Sequence, residues 1–227
     1  MSTSPNDTGA FYWPAAGAPV VSAPAARRPA LAVKRLLDVV LAAGLLVVAA
    51  PLLLAAAAAI RLSSRGPAFF VQDRIGYGCR RFSMIKLRTM VAGAEREEAR
   101  LAAAASGRIF FKIQDDPRVT AVGRVLRRFS LDELPQLVNV LRGDMSLVGP
   151  RPLLVSDLRR FPVYRQRRRF SMKPGLTGLW QVSGRSLLSD QERMRLDDEY
   201  VAGWSLAGDL AILMKTVPAV LSGRGAG

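Results

Sequence analysis

The chain has 227 residues, with 33 Lys or Arg against 18 Asp or Glu, no His, and a formal net charge of +15. The lack of His excludes a Ser-His-Asp triad, a Cys-His dyad and a His-based zinc site. Acid–base or nucleophilic chemistry therefore falls to Asp, Glu, Lys, Tyr, Ser or the single Cys79, which cannot form an internal disulfide. The positive charge predicts an anionic partner: nucleic acid, an anionic membrane surface or a phosphorylated substrate.

The N-terminal part of the chain contains two segments of different composition. Residues 1–30 are rich in Pro, Ala, Ser and Gly and are predicted to form a disordered tail. Residues 31–62 contain an apolar run from Leu36 to Ile60, which consists almost wholly of Leu, Ala and Val and is long enough to cross a bilayer. This second segment is therefore predicted to be a membrane-inserted helix.

The course of this helix through the membrane has two interpretations. Basic residues flank both ends of the apolar run, so the positive-inside rule places both ends on the cytoplasmic side. Pro51 lies within the run, where it removes a helix hydrogen bond and favours a kink. A bent helix that re-enters the same side and a straight transmembrane helix with a tolerated proline both remain open.

The remaining residues, 63–227, are predicted to form one compact domain that is mostly helical with a small β element. Apolar periodicity and turn residues predict strands at 69–72 and 81–85 and helices at 91–105, 119–128, 134–141, 189–200 and 204–221. The last helix is amphipathic, and it either lies at a membrane interface or packs on the core.

Two adjacent carboxylates, Asp132 and Glu133, lie in this basic chain just after Ser130. One interpretation is a capping box with Ser130 at the N-cap and Glu133 at N3. Pro135 would then be the fifth helical residue, where its ring disturbs the first turn. A helix that begins at Asp132 or later tolerates Pro135 and places both acids at the positive end of the helix dipole. The residues alone favour chemistry over capping: a carboxylate can attack phosphorus, and acids can bind Mg²⁺.

Five motifs surround this pair or lie in the same domain, and they occur in a fixed order. They are Lys86–Met90, Asp116–Thr120, Leu126–Leu137, Asn139–Pro152 and Lys173–Arg185. In this order and spacing they resemble the bacterial sugar transferase family, the monotopic polyprenol-phosphate phosphoglycosyl transferases. The resemblance covers roughly residues 30 to 225.

The resemblance implies a specific reaction. Such enzymes move a sugar-1-phosphate from a UDP-sugar to undecaprenyl phosphate and release UMP, which is the first membrane step of surface polysaccharide or glycoconjugate synthesis. It implies a ping-pong mechanism in which Asp132 carries a covalent sugar-phosphate, with Glu133 as the second catalytic acid and Mg²⁺ held by one or both acids. It places the protein in the bacterial inner membrane, with the catalytic domain facing the cytoplasm.

The same resemblance implies which cations bind the substrate phosphates. The family's arginine five residues before the nucleophile falls on Arg127, and the arginine of its Pro-Arg-Pro motif falls on Arg151. The further candidates come from the other motifs and are Arg185, Lys86, Arg88 and Arg118.

The fold class that follows is a re-entrant or transmembrane N-terminal helix plus a compact cytoplasmic catalytic domain with amphipathic interfacial helices. The family's helix breaks at a proline, which falls on Pro51, although Ala50 stands where relatives commonly have Ser. Expected partners are a UDP-sugar, undecaprenyl phosphate and anionic membrane lipids; no nucleic acid is expected, and a homo-oligomer remains open. A nucleic-acid-binding membrane protein and a non-catalytic scaffold are the alternatives, but neither requires an intact acidic pair.

Overall fold

The computed structural model of the protein describes residues 28–94, 116–154, 168–223 and 225, and these residues are mostly helical. Short 3₁₀ helices occupy Tyr77–Cys79, Leu131–Glu133 and Arg185–Leu187. In chain order the other elements are α1 (Arg28–Ser63), β1 (Phe69–Ile75), β2 (Arg81–Leu87), α2 (Ala121–Arg128), α3 (Gln136–Arg142), β3 (Ser146–Val148), β4 (Leu153–Leu154), β5 (Gly175–Thr177), α4 (Leu179–Ser183), α5 (Asp190–Ala202) and α6 (Leu206–Ser222).

Helix α1 has 36 residues, which corresponds to about 54 Å, and it is long and apolar enough to cross a membrane. One stripe of the helix faces the rest of the protein, and its buried residues recur with helical spacing: Lys34, Asp38, Ala42, Ala56 and Ile60. The opposite face leaves large Leu and Val side chains exposed. The helix continues through Pro51 as one element, so the predicted break there stays a prediction.

A buried polar network attaches the N-terminal half of α1 to the C-terminal helices. Lys34 Nζ donates to Asp209 Oδ2 at 2.6 Å and to the Val148 carbonyl at 2.9 Å. Asp209 also accepts from the Tyr200 hydroxyl at 2.8 Å and from the Trp204 indole at 3.1 Å. All of these groups are buried, so each must form its hydrogen bonds with the others instead of with water.

The C-terminal half of α1 contacts a second part of the same domain. Ala56 and Ile60 are buried against Leu87, at the end of β2, and against Leu126 of α2. The N-terminal half, through Ala42, belongs to the larger core beneath α3 and α6. Both halves of α1 therefore lie against one domain.

The two sheets are small. Strands β1 and β2 pair antiparallel from Phe69 opposite Leu87 to Ile75 opposite Arg81, and β4 joins the other edge of β1. Strands β3 and β5 form a separate parallel pair. The main chain of Gly175 in β5 lies very close to that of Gly149, which follows β3. A Cβ at Gly175 would lie 2.1 Å from the Gly149 nitrogen, which excludes any side chain at position 175.

Asn139 connects β2 to α3. Its Oδ1 accepts from the Ile85 amide at 3.0 Å, and its Nδ2 donates to the Ser83 carbonyl at 2.8 Å and to Asp144 at 3.2 Å. The side chain is fully buried, so these bonds satisfy strand groups on the side of β2 away from β1.

Most predicted elements are confirmed, with longer strands than expected and helices that begin later. The helix predicted at 134–141 begins at Gln136, and those predicted at 189–200 and 204–221 span Asp190–Ala202 and Leu206–Ser222. The helix predicted at 91–105 lies mainly outside the described residues, as do residues 1–27 of the predicted tail. The last three residues of that tail, 28–30, belong to α1 instead. Strands β3, β4 and β5 were not predicted, because two or three residues are too few to show alternation.

The network around Asp209 predicts the cost of losing Lys34. A Lys34→Met exchange leaves the buried Asp209 carboxylate without its cation, so we expect the free energy of unfolding in detergent to fall by about 3–5 kcal/mol. The same exchange at Lys215, an exposed residue of α6, is the control and is expected to change stability by less than about 0.5 kcal/mol. Equal losses in the two variants would show that the buried pair does not hold α1 in place.

Candidate active site

The two acids lie in a short 3₁₀ turn between α2 and α3. Ser130, which precedes them, has a left-handed backbone (φ 53°) and makes no capping hydrogen bond, so the capping-box interpretation is wrong. Pro135 sits at the N-cap of α3, before the first helical residue, where its missing N–H costs nothing. Within the part of the chain that the structure describes, Ser189 and Glu192 form a capping box at the start of α5.

Glu133 is held between two cations. Its Oε1 accepts from Arg151 Nη2 at 2.8 Å and lies 3.4 Å from Lys86 Nζ, and its side chain is only 17% exposed. Burial alone raises the pKa of Glu133, but the charges and hydrogen bonds of Arg151 and Lys86 outweigh it and hold that pKa far below its usual range. Glu133 is therefore a carboxylate at any physiological pH.

Asp132 has the opposite environment. Burial raises the pKa of this carboxyl, the neighbouring Glu133 charge raises it further, and the charges of Lys86, Arg127 and Arg151 oppose both effects only in part. Two adjacent acids whose pKa values are shifted in opposite directions are typical of a site that divides roles between them.

Arg127 reaches this turn from the end of α2, and its position depends on Thr89. Its Nε donates to the Thr89 hydroxyl at 2.8 Å. Helix α2 itself sits against the Thr89 main chain, because a Cβ at Gly123 would lie 2.0 Å from the Thr89 carbonyl oxygen. The Lys86–Met90 and Asp116–Thr120 motifs meet where the Thr120 amide donates to the Thr89 carbonyl at 3.0 Å. The Arg127 charge lowers the pKa of Asp132.

Arg185 approaches from the other side of the turn. Its Nη2 donates to the Ser130 hydroxyl at 2.5 Å and its Nη1 to the Ala219 carbonyl at 3.4 Å. Burial lowers the pKa of Arg185, and the charges of Glu133 and Asp132 act against that shift. The structure therefore brings four of the six predicted cations to the acidic pair, namely Lys86, Arg127, Arg151 and Arg185.

The other two predicted cations contact different parts of the protein. Arg88 donates from Nη1 to the Arg65 carbonyl at 2.6 Å and from Nη2 to the Ser64 carbonyl at 3.0 Å, which ties β2 to the end of α1. Arg118 forms a two-pronged ion pair with Asp116, with its closest contact at 2.6 Å, and it also donates to the Ala94 carbonyl. Their predicted role as phosphate ligands stays a prediction.

Sequence reasoning missed the residues that surround Arg151. The Arg151 guanidinium lies over the Trp180 ring, 5.8 Å from its centroid. Its carbonyl accepts from Arg169 Nη2 at 2.6 Å, and the same nitrogen donates to Asp197 Oδ2 at 2.8 Å. Burial raises the pKa of Asp197 to about 6, even though the Arg169 charge lowers it. Trp180 lies within the Lys173–Arg185 motif, but nothing in that sequence pattern indicates that its ring contacts Arg151.

The acidic pair also fits the requirements of a magnesium site only in part. Among the described residues, no group of three or more Cys, Asp and Glu side chains is suited to hold a metal ion. Mg²⁺ is commonly bound through one or two carboxylates together with substrate phosphates and water, so Asp132 and Glu133 suffice when a diphosphate is present. Without a substrate, the two cations on Glu133 compete with a metal for its oxygens.

Comparison with known proteins gives one family. The family described as "Bacterial sugar transferase" matches residues 29–223. The chain is 42% identical over 199 residues to the exopolysaccharide production protein ExoY of Sinorhizobium fredii, covering 85% of this chain and 87% of the relative. It is 46% identical over 198 residues to the UDP-glucose:undecaprenyl-phosphate glucose-1-phosphate transferase of Caulobacter vibrioides, covering 83% of this chain and 70% of the relative.

A longer relative shows the same similarity over part of its length. The undecaprenyl-phosphate galactose phosphotransferase of Salmonella typhimurium is 41% identical over 210 residues, which cover 88% of this chain and 43% of the relative. The resemblance drawn from the five motifs is thereby confirmed. From the match across nearly all of its described residues and these identities, the chain belongs to the bacterial sugar transferase family.

Proposed function

We propose that this protein transfers a sugar-1-phosphate from a UDP-sugar to undecaprenyl phosphate, with release of UMP, at the start of surface polysaccharide or glycoconjugate synthesis. The observation that carries the proposal is the turn in which two adjacent acids have opposite electrostatic environments and four cations surround them. Two relatives are named as transferases that act on undecaprenyl phosphate, which fits this site.

In the first half-reaction, a carboxylate oxygen of Asp132 attacks the β-phosphorus of the donor. The bond from that phosphorus to the oxygen bridging the two phosphates breaks, UMP leaves, and the sugar-phosphate remains bonded to Asp132. Arg127, Arg151 and Arg185 are placed to bind the diphosphate oxygens, because guanidinium groups match them in shape and charge. They also stabilise the charge that develops on the leaving UMP.

In the second half-reaction, a phosphate oxygen of undecaprenyl phosphate attacks the same phosphorus and Asp132 leaves as a carboxylate. The acceptor's phosphate is already ionised at neutral pH, so this step needs no general base. The same arginines serve both halves, because each half transfers the same phosphoryl group between anionic oxygens.

Glu133 acts as a fixed charge in this mechanism. Its pKa lies too far below neutral for it to donate a proton, so a role as general acid is disfavoured. It holds Arg151 and Lys86 beside Asp132 instead. Asp132 and one oxygen of Glu133 are the residues that would hold Mg²⁺ with the donor's phosphates, and the metal would neutralise diphosphate charge when bound.

The membrane course that we propose is re-entrant, with the domain on the cytoplasmic side of the bacterial inner membrane. The supporting observation is that both halves of α1 contact the same domain. The hydrocarbon core is about 30 Å thick, so a straight helix that spanned it would place one of its ends on the side of the membrane opposite the domain. The exposed apolar face of α6, which includes Leu210, Met214, Val217 and Leu221, is suited to the same interface.

The nucleophile assignment predicts the behaviour of an isosteric variant. With Asp132→Asn, an amide replaces the attacking carboxylate, so we expect UMP release from a UDP-sugar to fall by more than about 1,000-fold. Wild-type protein incubated with a radiolabelled UDP-sugar and then denatured should retain label on the chain, and the variant should retain none.

Asp73→Asn supplies the matched control for this test. Asp73 is an exposed aspartate on β1, so its exchange is expected to leave both UMP release and retained label unchanged. Retained label at the wild-type level in Asp132→Asn would reject the covalent intermediate on this residue. UMP release without any retained label in the wild type would point to direct transfer between the two substrates.

The environment of Asp132 also predicts the pH dependence of the reaction. Because the pKa of Asp132 is raised, the carboxylate is lost as pH falls at a higher pH than for an ordinary aspartate, whose pKa is about 4. We expect the acidic limb of kcat/KM to lie above that value. In Glu133→Gln the negative charge next to Asp132 is lost, whereas the positive charges of Arg151 and Lys86 remain. The pKa of Asp132 should then fall, and the acidic limb of the residual kcat/KM should move to lower pH. A limb that moves upward would contradict this electrostatic account.

The re-entrant course predicts where the two ends of α1 can be labelled. Arg28 and Arg65 are exposed at either end of the helix, so each is changed to Cys in a Cys79→Ser background. A membrane-impermeant maleimide should label neither cysteine in intact spheroplasts and both after lysis. Labelling of one cysteine from outside intact cells would establish a spanning helix.

A further inference from the structure

Arg151 contacts Glu133 with one nitrogen, and this contact alone fixes the guanidinium poorly. The Arg151 side chain is 28% exposed, so water competes for its remaining donors. A partly exposed ion pair also has to hold a long side chain in one rotamer, which costs conformational entropy. A further contact is needed to explain a single position for this guanidinium.

Two groups fix the main chain of Arg151 from the protein interior. Arg169 donates to the Arg151 carbonyl at 2.6 Å and pairs with Asp197, and the side chains of that pair are 4% and 2% exposed. Strand β4 follows two residues later and pairs with β1. These contacts hold the backbone but leave the direction of the Arg151 side chain undetermined.

Trp180 supplies the contact that sets this direction. Its ring centroid lies 5.8 Å from Arg151 Cζ, within the range in which an aromatic face attracts a guanidinium. The ring is itself rigid, because Trp180 is 7% exposed and its helix starts at Gly178, where a Cβ would lie 2.4 Å from the Gly149 carbonyl. Arg193 lies over the same ring at 5.4 Å.

We propose that Trp180 is a positioning residue for phosphoryl transfer: its ring holds the Arg151 guanidinium where that group contacts Glu133 and faces the donor's diphosphate. The proposal rests on the proposed function of the acidic pair. Trp180 acts on the transfer through Arg151, whose guanidinium lies between the ring and Glu133 in the chain of contacts. Loss of the ring lets Arg151 leave Glu133, which weakens diphosphate binding.

The test compares Trp180→Leu, which removes the aromatic face, with Trp180→Phe, which keeps one. For Trp180→Leu we expect kcat/KM for UMP release to fall about tenfold, mainly through a higher KM for the UDP-sugar. Trp180→Phe should stay within about threefold of the wild type in both kcat/KM and KM. Trp204→Leu is the matched control, because Trp204 is equally buried but contacts Asp209, the partner of Lys34 on α1.

A purely structural role of Trp180 gives a different result. In that case Trp180→Leu lowers thermal stability as Trp204→Leu does, and neither variant changes KM for the UDP-sugar. Equal losses in Trp180→Leu and Trp180→Phe would likewise overturn the proposal, because the aromatic face would then have no role in the transfer.

A second measurement is independent of turnover. The Nε–H resonance of Arg151, assigned in ¹⁵N spectra by its loss in Arg151→Lys, should carry a ring-current shift that Trp180→Leu abolishes. If the wild type releases no UMP from any UDP-sugar while this shift is present, the proposed function fails and the positioning contact stands. If the wild type is active and Trp180→Leu leaves both the resonance and KM for the UDP-sugar unchanged, the positioning proposal fails.

Discussion

The rest of the structure depends on the buried polar contacts between α1 and the domain. A helix made almost entirely of Leu, Ala and Val has no strong preference for which face it turns inward, because apolar packing is non-directional. Lys34 and Asp38 remove that freedom, since a buried charge is tolerated only beside its partner. With Lys34 bound to Asp209 and Asp38 bound to the Leu147 amide, the rotation of the helix is fixed. Its remaining apolar side chains then face outward, toward the lipid that we propose surrounds them.

The same helix fixes the site through β2. Arg88 binds the backbone just beyond the end of α1, whereas Lys86, two residues earlier, contacts Glu133. Thr89, the residue after Arg88, holds Arg127 next to Asp132. One short segment therefore contacts α1 and two charged groups of the site, Glu133 and Arg127. This coupling fits the lipid-phosphate acceptor that we propose, because it keeps the site close to the helix that we propose enters the membrane.

The sequence predicted the acidic pair, four cations of the site and most helices, because these depend on local pattern or on motifs with fixed spacing. It did not distinguish Arg88 and Arg118, which contact other parts of the protein, from the four cations beside the acids. The sequence gives the type and charge of a residue but not the direction of its side chain. The parallel pairing of β3 with β5 was also missed, because it depends on contacts between segments far apart in the chain. Trp180 was missed for a related reason: a cation–π contact leaves no periodic trace in the sequence.

The charges explain why two adjacent acids suit the transfer that we propose. Four cations held together without a substrate would repel one another, and a permanently ionised Glu133 offsets the two that it contacts, Arg151 and Lys86. Arg185, in contrast, donates to a hydroxyl and a carbonyl, which are neutral groups that fix its direction and leave its charge for an incoming phosphate. The Glu133 charge also raises the pKa of Asp132, and a more basic carboxylate is the better nucleophile. A single acid could not do both, because the ion pairs that keep Glu133 charged would lower the basicity that attack on phosphorus requires.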